Sequence, residues 1–238
     1  MFHNTHVYIA SKLYNSADEL LLVGSILPDL AVTGIIQWEG GLHGKESVKS
    51  FFQFIQGNST YLNLYKGVYA HNILDDFTHQ NYQGEPGFAY QNNKELVQLV
   101  KRFYDLDDKG AAGKAHNYIE SGVDILLLKE HPEVQNQFRK AINQVDKPQL
   151  AYLLSAYFKV DEAKFLVAIL QFFELFTKYD FSKQENWVLF WQDLEKLLVL
   201  KDIGDKNRKV LIDKSLEIVK NTYQDFLNYS LTEGVKQV

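Results

Sequence analysis

Ala70-His71-Asn72-Ile73-Leu74-Asp75-Asp76-Phe77-Thr78-His79 is the stretch on which the fold turns. Neither Pro nor Gly interrupts it, and its apolar residues fall between polar ones as on a helix. On a helix, residues four apart stand one above the other, so His71, Asp75 and His79 form a column over two turns. Burying such a column costs free energy unless each polar group finds a partner. A divalent metal is one such partner, because imidazole and carboxylate are what zinc takes when no thiolate is present. The plainer alternative is a helix face turned to water. Asp76 lies off the column and reads as a solvated neighbour.

Outward from this stretch the chain looks helical throughout. Leu, Lys, Gln and Glu are frequent and only 4 of 238 residues are Pro. Alternating strand patterns are weak, which makes the fold class all-α. Asn4 or Thr5 is placed to cap a helix from about His6 to Tyr14. Ser16 or Asp18 opens an apolar segment from Glu19 to Leu27, which Pro28 ends, leaving Asp29 free to face a cleft. Residues 32–46 read as a loop rich in glycine around His43. A helix over Glu46–Gln56 has Phe51, Phe52, Phe54 and Ile55 as its buried side. The central helix runs from about Thr60 to His79. A turn-rich loop, a helix over Lys94–Tyr104 and a longer helix carrying His116 and Glu120 follow. Beyond His131 there is no His, and amphipathic helices are expected near 133–143, 147–158, 161–179, 184–199 and 205–229. The expected organisation is a metal-binding helical core over 1–131, with 132–238 packed on it as one compact unit.

Composition removes several function classes. A net charge of −5 disfavours a stable nucleic-acid complex held by a basic surface. There is no Cys, so no disulfide framework exists and any zinc must be held by His, Asp and Glu. No apolar run approaches the roughly 18 residues needed to span a bilayer. The first residues lack the basic and apolar pattern of a secretory signal, so a cytoplasmic location is expected. The 33 aromatic residues, 16 Phe, 14 Tyr and 3 Trp, must be mostly core.

The seven histidines all lie in the first 131 residues. His116 and Glu120 are four apart and share a helix face, and Asp124, one turn on, is placed to orient His116. Candidate metal ligands are His6, Asp29, His43, His71, Asp75, His79, His116 and Glu120. Eight donors exceed one site, so two or three ions are expected, zinc first among them. His3 and His131 read as surface residues. Trp38, Tyr82, Phe88 and Tyr90 lie in loops near these donors, where they would line a substrate pocket or form a small satellite core.

The order of these residues resembles the zinc-dependent phospholipase C family, which is related to the S1/P1 nucleases. The likeness rests on His6, Gly24-Ser25-Ile26-Leu27-Pro28-Asp29, His43, His71 with Asp75 and His79, and His116 with Glu120, over about residues 5–124. It implies a multi-helix bundle with extra C-terminal helices and a three-zinc cluster that hydrolyses phosphate esters. Asp29, His43, His71 and Asp75 would hold one zinc, and His79, His116 and Glu120 a second. His6, a bridging Asp75 and the N-terminal residue would hold the third. Secreted members begin with a Trp at that place. This chain begins Met1-Phe2, with His3 as a substitute donor, and its gap from Asp75 to His79 is shorter.

The expected activity is metal-dependent hydrolysis of a phosphate ester, a phospholipid being one such substrate, by metal-activated water with Asp29 as ligand and proton acceptor. The alternative is a binding or scaffold protein that holds metal for stability alone. A phosphohydrolase of the HD type needs adjacent His and Asp, which the chain lacks.

Overall fold

The structure, a computed structural model, describes residues 3–238. The described residues form thirteen α-helices and two short 3-10 helices, with no strand. The all-α expectation is met. The α-helices are α1 (His3–Leu13), α2 (Glu19–Gly24), α3 (Lys45–Ile55), α4 (Leu62–His79), α5 (Phe88–Asn92), α6 (Lys94–Tyr104) and α7 (Asp108–Glu130). They continue as α8 (Glu133–Gln144), α9 (Lys147–Phe158), α10 (Glu162–Thr177), α11 (Gln184–Leu197), α12 (Asp205–Val219) and α13 (Tyr223–Val235). The 3-10 turns are Leu27–Thr33 and Ser59–Tyr61. No described helix is long and apolar enough to cross a membrane.

Local chemistry sets many of these boundaries. Asp18, Asp107, Asp146 and Asp161 each stand just before a helix and accept from its first free backbone N–H groups. Pro28 does not end a helix as expected. It occupies the first turn of the Leu27–Thr33 element, where its missing N–H costs nothing. Asn4 and Thr5 lie inside α1 rather than capping it. Their backbone N–H groups donate to the Asp124 carboxylate of α7, at 3.0 and 2.8 Å, so the cap comes from 119 residues away. The single helix expected over 205–229 is broken by Lys220-Asn221-Thr222 into α12 and α13.

The chain packs as two compact units. One comprises residues 3–5, Ile73–Glu133 and Tyr179–Val238. Here α7 is the centre, flanked by α5, α6 and α12, with α11 packed on α12. Tyr118 of α7 stacks on Trp191 of α11 with ring centres 3.9 Å apart. Within the same core Arg208, 1% exposed, donates to Glu195, which also accepts from the Tyr104 hydroxyl. Burial, first of all, raises the Tyr104 hydroxyl far above its ordinary pKa, so it stays a donor. Losing Arg208 would leave the Glu195 carboxylate buried without its cation, at a cost of about 3–5 kcal/mol, whereas Arg208 has Asp202 and Asp205 as further partners.

The other unit comprises His6–Asn72 and Val134–Lys178. Its core is α10 against α9 and against the Leu27–Thr33 turn. Phe172 and Phe176 meet edge to face, and Phe158 stacks on Phe165. On α3 only Val48, Phe51 and Ile55 are buried, while Phe52 and Phe54 are 36% and 45% exposed. The sequence reading made that face too wide, since positions 48, 51 and 55 alone complete the seam.

Helices α2 and α4 touch backbone to backbone. A Cβ placed on Gly24 would stand 2.3 Å from the Leu64 carbonyl oxygen, and one on Gly67 would stand 2.2 Å from the Leu21 carbonyl oxygen. Only glycine fits both sides of that crossing. By contrast a Cβ on Gly113, inside α7, would meet nothing within 4 Å. Gly67→Ala is therefore expected to lower stability by several kcal/mol, whereas Gly113→Ala should be neutral or stabilising by up to about 1 kcal/mol. Urea denaturation of the two variants checks this, and equal effects would contradict the crossing.

Candidate metal centre

The crossing of Gly24 and Gly67 has a chemical result one turn further along α4. The residue after Gly24 turns its carbonyl towards His71, and His71 Nδ1 donates to the Ser25 oxygen at 2.8 Å. A carbonyl only accepts, so Nδ1 carries a proton, and in the neutral ring the lone pair is on Nε2. His71 is fully buried.

That lone pair faces His43 from the glycine-rich loop, with the two Nε2 atoms 3.3 Å apart and the rings inclined at 69°. Two zinc–nitrogen bonds of about 2.0–2.1 Å at the tetrahedral angle hold their nitrogens about 3.3–3.4 Å apart. His43 Nε2 also lies 3.8 Å from Asp29 Oδ1, carried by the Leu27–Thr33 turn. His6, Asp29 and His71 each place a ligand atom within 4.8 Å of the others. The His6 ring, however, stacks parallel to His71, centres 3.8 Å apart and 8° from coplanar. Lone pairs lie in ring planes, so stacked imidazoles point along parallel lines. One ion in line with His71 would sit out of the plane of His6. His6 and His71 would therefore not both direct a lone pair at the same ion.

A second group lies in the other unit. His79, His116 and Glu120 bring ligand atoms within 4.8 Å of one another. His79 Nε2 is 2.9 Å from Glu120 Oε1, His116 Nε2 is 3.8 Å from the same oxygen, and His79 Nδ1 is 3.8 Å from Asp75 Oδ2. Glu120 is 1% exposed. Burial, and then the neighbouring His79, holds the His116 imidazole well below its usual pKa, so it is neutral and has a lone pair to give. Its Nδ1 is buried without a hydrogen-bond partner among the described residues. His79 is set by the turn that follows it, where Gly87 packs so close that a Cβ would lie 2.2 Å from the His79 carbonyl carbon.

Within one unit His6, Asp29, His43 and His71 lie together, and within the other His79, His116 and Glu120 do, with Asp75 beside His79. The donor set, nitrogen and carboxylate oxygen without sulfur, fits zinc. The ligands expected from the N-terminal residue lie outside the described residues. The substrate-lining aromatics divide. Trp38 is 47% exposed with its ring centre 5.5 Å from that of His43, and half-buried Tyr90 lies 5.2 Å from His116. Tyr82 and Phe88 need correcting. They are buried against α13, Phe88 stacked on Phe226 at 4.3 Å and Tyr82 against Tyr229 at 4.9 Å. Phe88 opens α5, and Tyr82 lies in the turn before it, bridged to Glu85.

His3 is corrected too. It is 1% exposed and its ring packs edge-on to Phe181 at 4.4 Å. Asp124 does not orient His116. Its carboxylate takes the Asn4 and Thr5 donors instead. The Asn72 contacts to the His43 loop went unread from sequence, since an Asn beside a ligand carries no signal of its own. A groove of about 670 Å³ opens elsewhere, between α11 and α12, lined by Val188, Leu189, Lys206, Lys209 and Ile212 among others, and no histidine borders it.

Comparison of the chain with protein-family models, curated proteins and solved structures returned no match.

Burial pushes the Asp124 carboxyl up from 3.8 to about 6, against the downward pull of the Thr5 and Asn4 donors. A carboxyl whose pKa is higher folded than unfolded binds its proton more tightly in the folded state. Its stabilising contribution is full below about pH 4 and lost as pH rises through about 6. The stability of the native chain relative to Asp124→Asn should therefore fall across that window, as urea midpoints at each pH would record. A difference that stays flat from pH 4 to pH 7 would contradict the burial.

Proposed function

We propose that this chain is a metal-dependent hydrolase of phosphate esters, similar in chemistry to zinc-dependent phospholipases C. The observation that carries the proposal is the 3.3 Å separation of His43 and His71 Nε2 beside Asp29, on rings inclined as two ligands of one ion would be. His6, Asp29, His43 and His71 would hold zinc in one group, and Asp75, His79, His116 and Glu120 in the other. Bound there, divalent cations lower the pKa of a coordinated water and neutralise charge on the phosphate oxygens.

The protein's own groups do the rest. Asp29, 7% exposed, would take the proton of the attacking water as its oxygen bonds to phosphorus and the ester P–O bond breaks. The departing oxygen takes its proton from solvent. Trp38, beside His43, would offer an apolar surface to the rest of the substrate, a phospholipid head group or another phosphodiester. One observation favours the second reading, a protein that keeps metal only for stability: His6, His71 and Glu120 are each 2% exposed or less, as ligands of closed structural sites are.

Metal analysis of the purified chain should give more than one zinc per molecule. Cleavage of bis(p-nitrophenyl) phosphate should be lost with a chelator and restored by zinc. Asp29→Asn should reduce it by about 100-fold or more. A zinc-loaded chain that cleaves no phosphate mono- or diester would establish the stability-only reading instead.

A further inference from the structure

We propose that Asn72 is a positioning residue that holds His43 at ligand distance from His71. The proposal rests on the metal reading above and concerns a side chain with no donor role of its own. His43 lies in the loop between the Leu27–Thr33 turn and α3, on a backbone without repeating hydrogen bonds. Asn72 grips that backbone on both sides of His43. Its Nδ2 donates to the Leu42 carbonyl at 2.9 Å, and its Oδ1 accepts from the Gly44 N–H at 2.6 Å. The same Nδ2 donates to the Val68 carbonyl one turn back on α4, at 2.8 Å, which fixes the rotamer. Asn72 directly follows His71 on the helix. One short, rigid connection thus links the two imidazoles: His71 to Asn72 along the chain, and Asn72 to the peptides flanking His43.

Only an amide of this length does this, because the two loop groups are a carbonyl and an N–H and need a donor and an acceptor from one side chain. Side chains that orient a metal ligand change affinity by about 10–100-fold when removed. A plain structural tie between loop and helix would instead lower stability and leave zinc affinity where it was.

The test is zinc affinity, measured by competition with a chromophoric chelator on the full chain. The variants are Asn72→Leu, His43→Ala and the two combined, with far-UV circular dichroism as a check on folding. Asn72→Leu should weaken one zinc by about tenfold or more. In the His43→Ala background the same change should cost little further, because Asn72 acts through His43. Should Asn72→Leu fail to fold, Asn72→Ser, too short to reach both peptides, gives the same comparison. Unchanged affinity in Asn72→Leu, or losses that add in full with His43→Ala, would overturn the proposal while leaving the metal reading intact. A native chain that takes up no zinc would overturn both.

Discussion

Two helices whose backbones touch set the terms for one of the two units of this protein. Gly24 and Gly67 let α2 and α4 approach until peptide groups are in contact. That approach delivers the Ser25 carbonyl to His71 Nδ1 and thereby decides which nitrogen of a buried imidazole is left with a lone pair. With an alanine on either side the helices would separate. His71 would then be a buried ring with a polar atom to satisfy and no defined direction. The chemistry proposed for the chain depends on that direction more than on the presence of seven histidines.

The other unit solves a related problem with charge. Its core contains Arg208, Glu195, Tyr104 and Tyr118, all buried and paired among themselves, and Asp124, paired with Asn4 and Thr5. Such groups add little net stability when satisfied, but leaving one unsatisfied is costly, so they penalise alternative packings. Asp124 shows the effect at a distance. By collecting the Asn4 and Thr5 N–H groups it fixes where α1 starts, a task usually left to a residue at the helix end itself. Glu120, one turn earlier on α7, stands with His79 and His116.

How much of this could be read from sequence follows from the range of the forces involved. The helical class, α6 from Lys94 to Tyr104 and α9 from Lys147 to Phe158 were legible because periodicity and Asp caps act within a few residues. The column His71, Asp75, His79 and the pair His116, Glu120 were legible for the same reason. The fates of Asp124, His3, Tyr82 and Phe88 were not. Each is decided by a partner about 120–180 residues away, and spacing along a helix says nothing of what packs against it. Pro28 was misplaced because proline marks a boundary without saying on which side the helix lies. The clamp of Asn72 on the His43 loop was hidden by the ordinariness of asparagine.

The central claim is that the histidines and carboxylates converge in order to hold cations. Its most direct test is a crystal of the native chain measured on both sides of the zinc absorption edge. The account predicts anomalous peaks about 2.0–2.2 Å from His43 Nε2, His71 Nε2 and Asp29, and again beside His79, His116 and Glu120. Zinc-soaked crystals with no peak at either group, and water bridging the imidazoles instead, would contradict it.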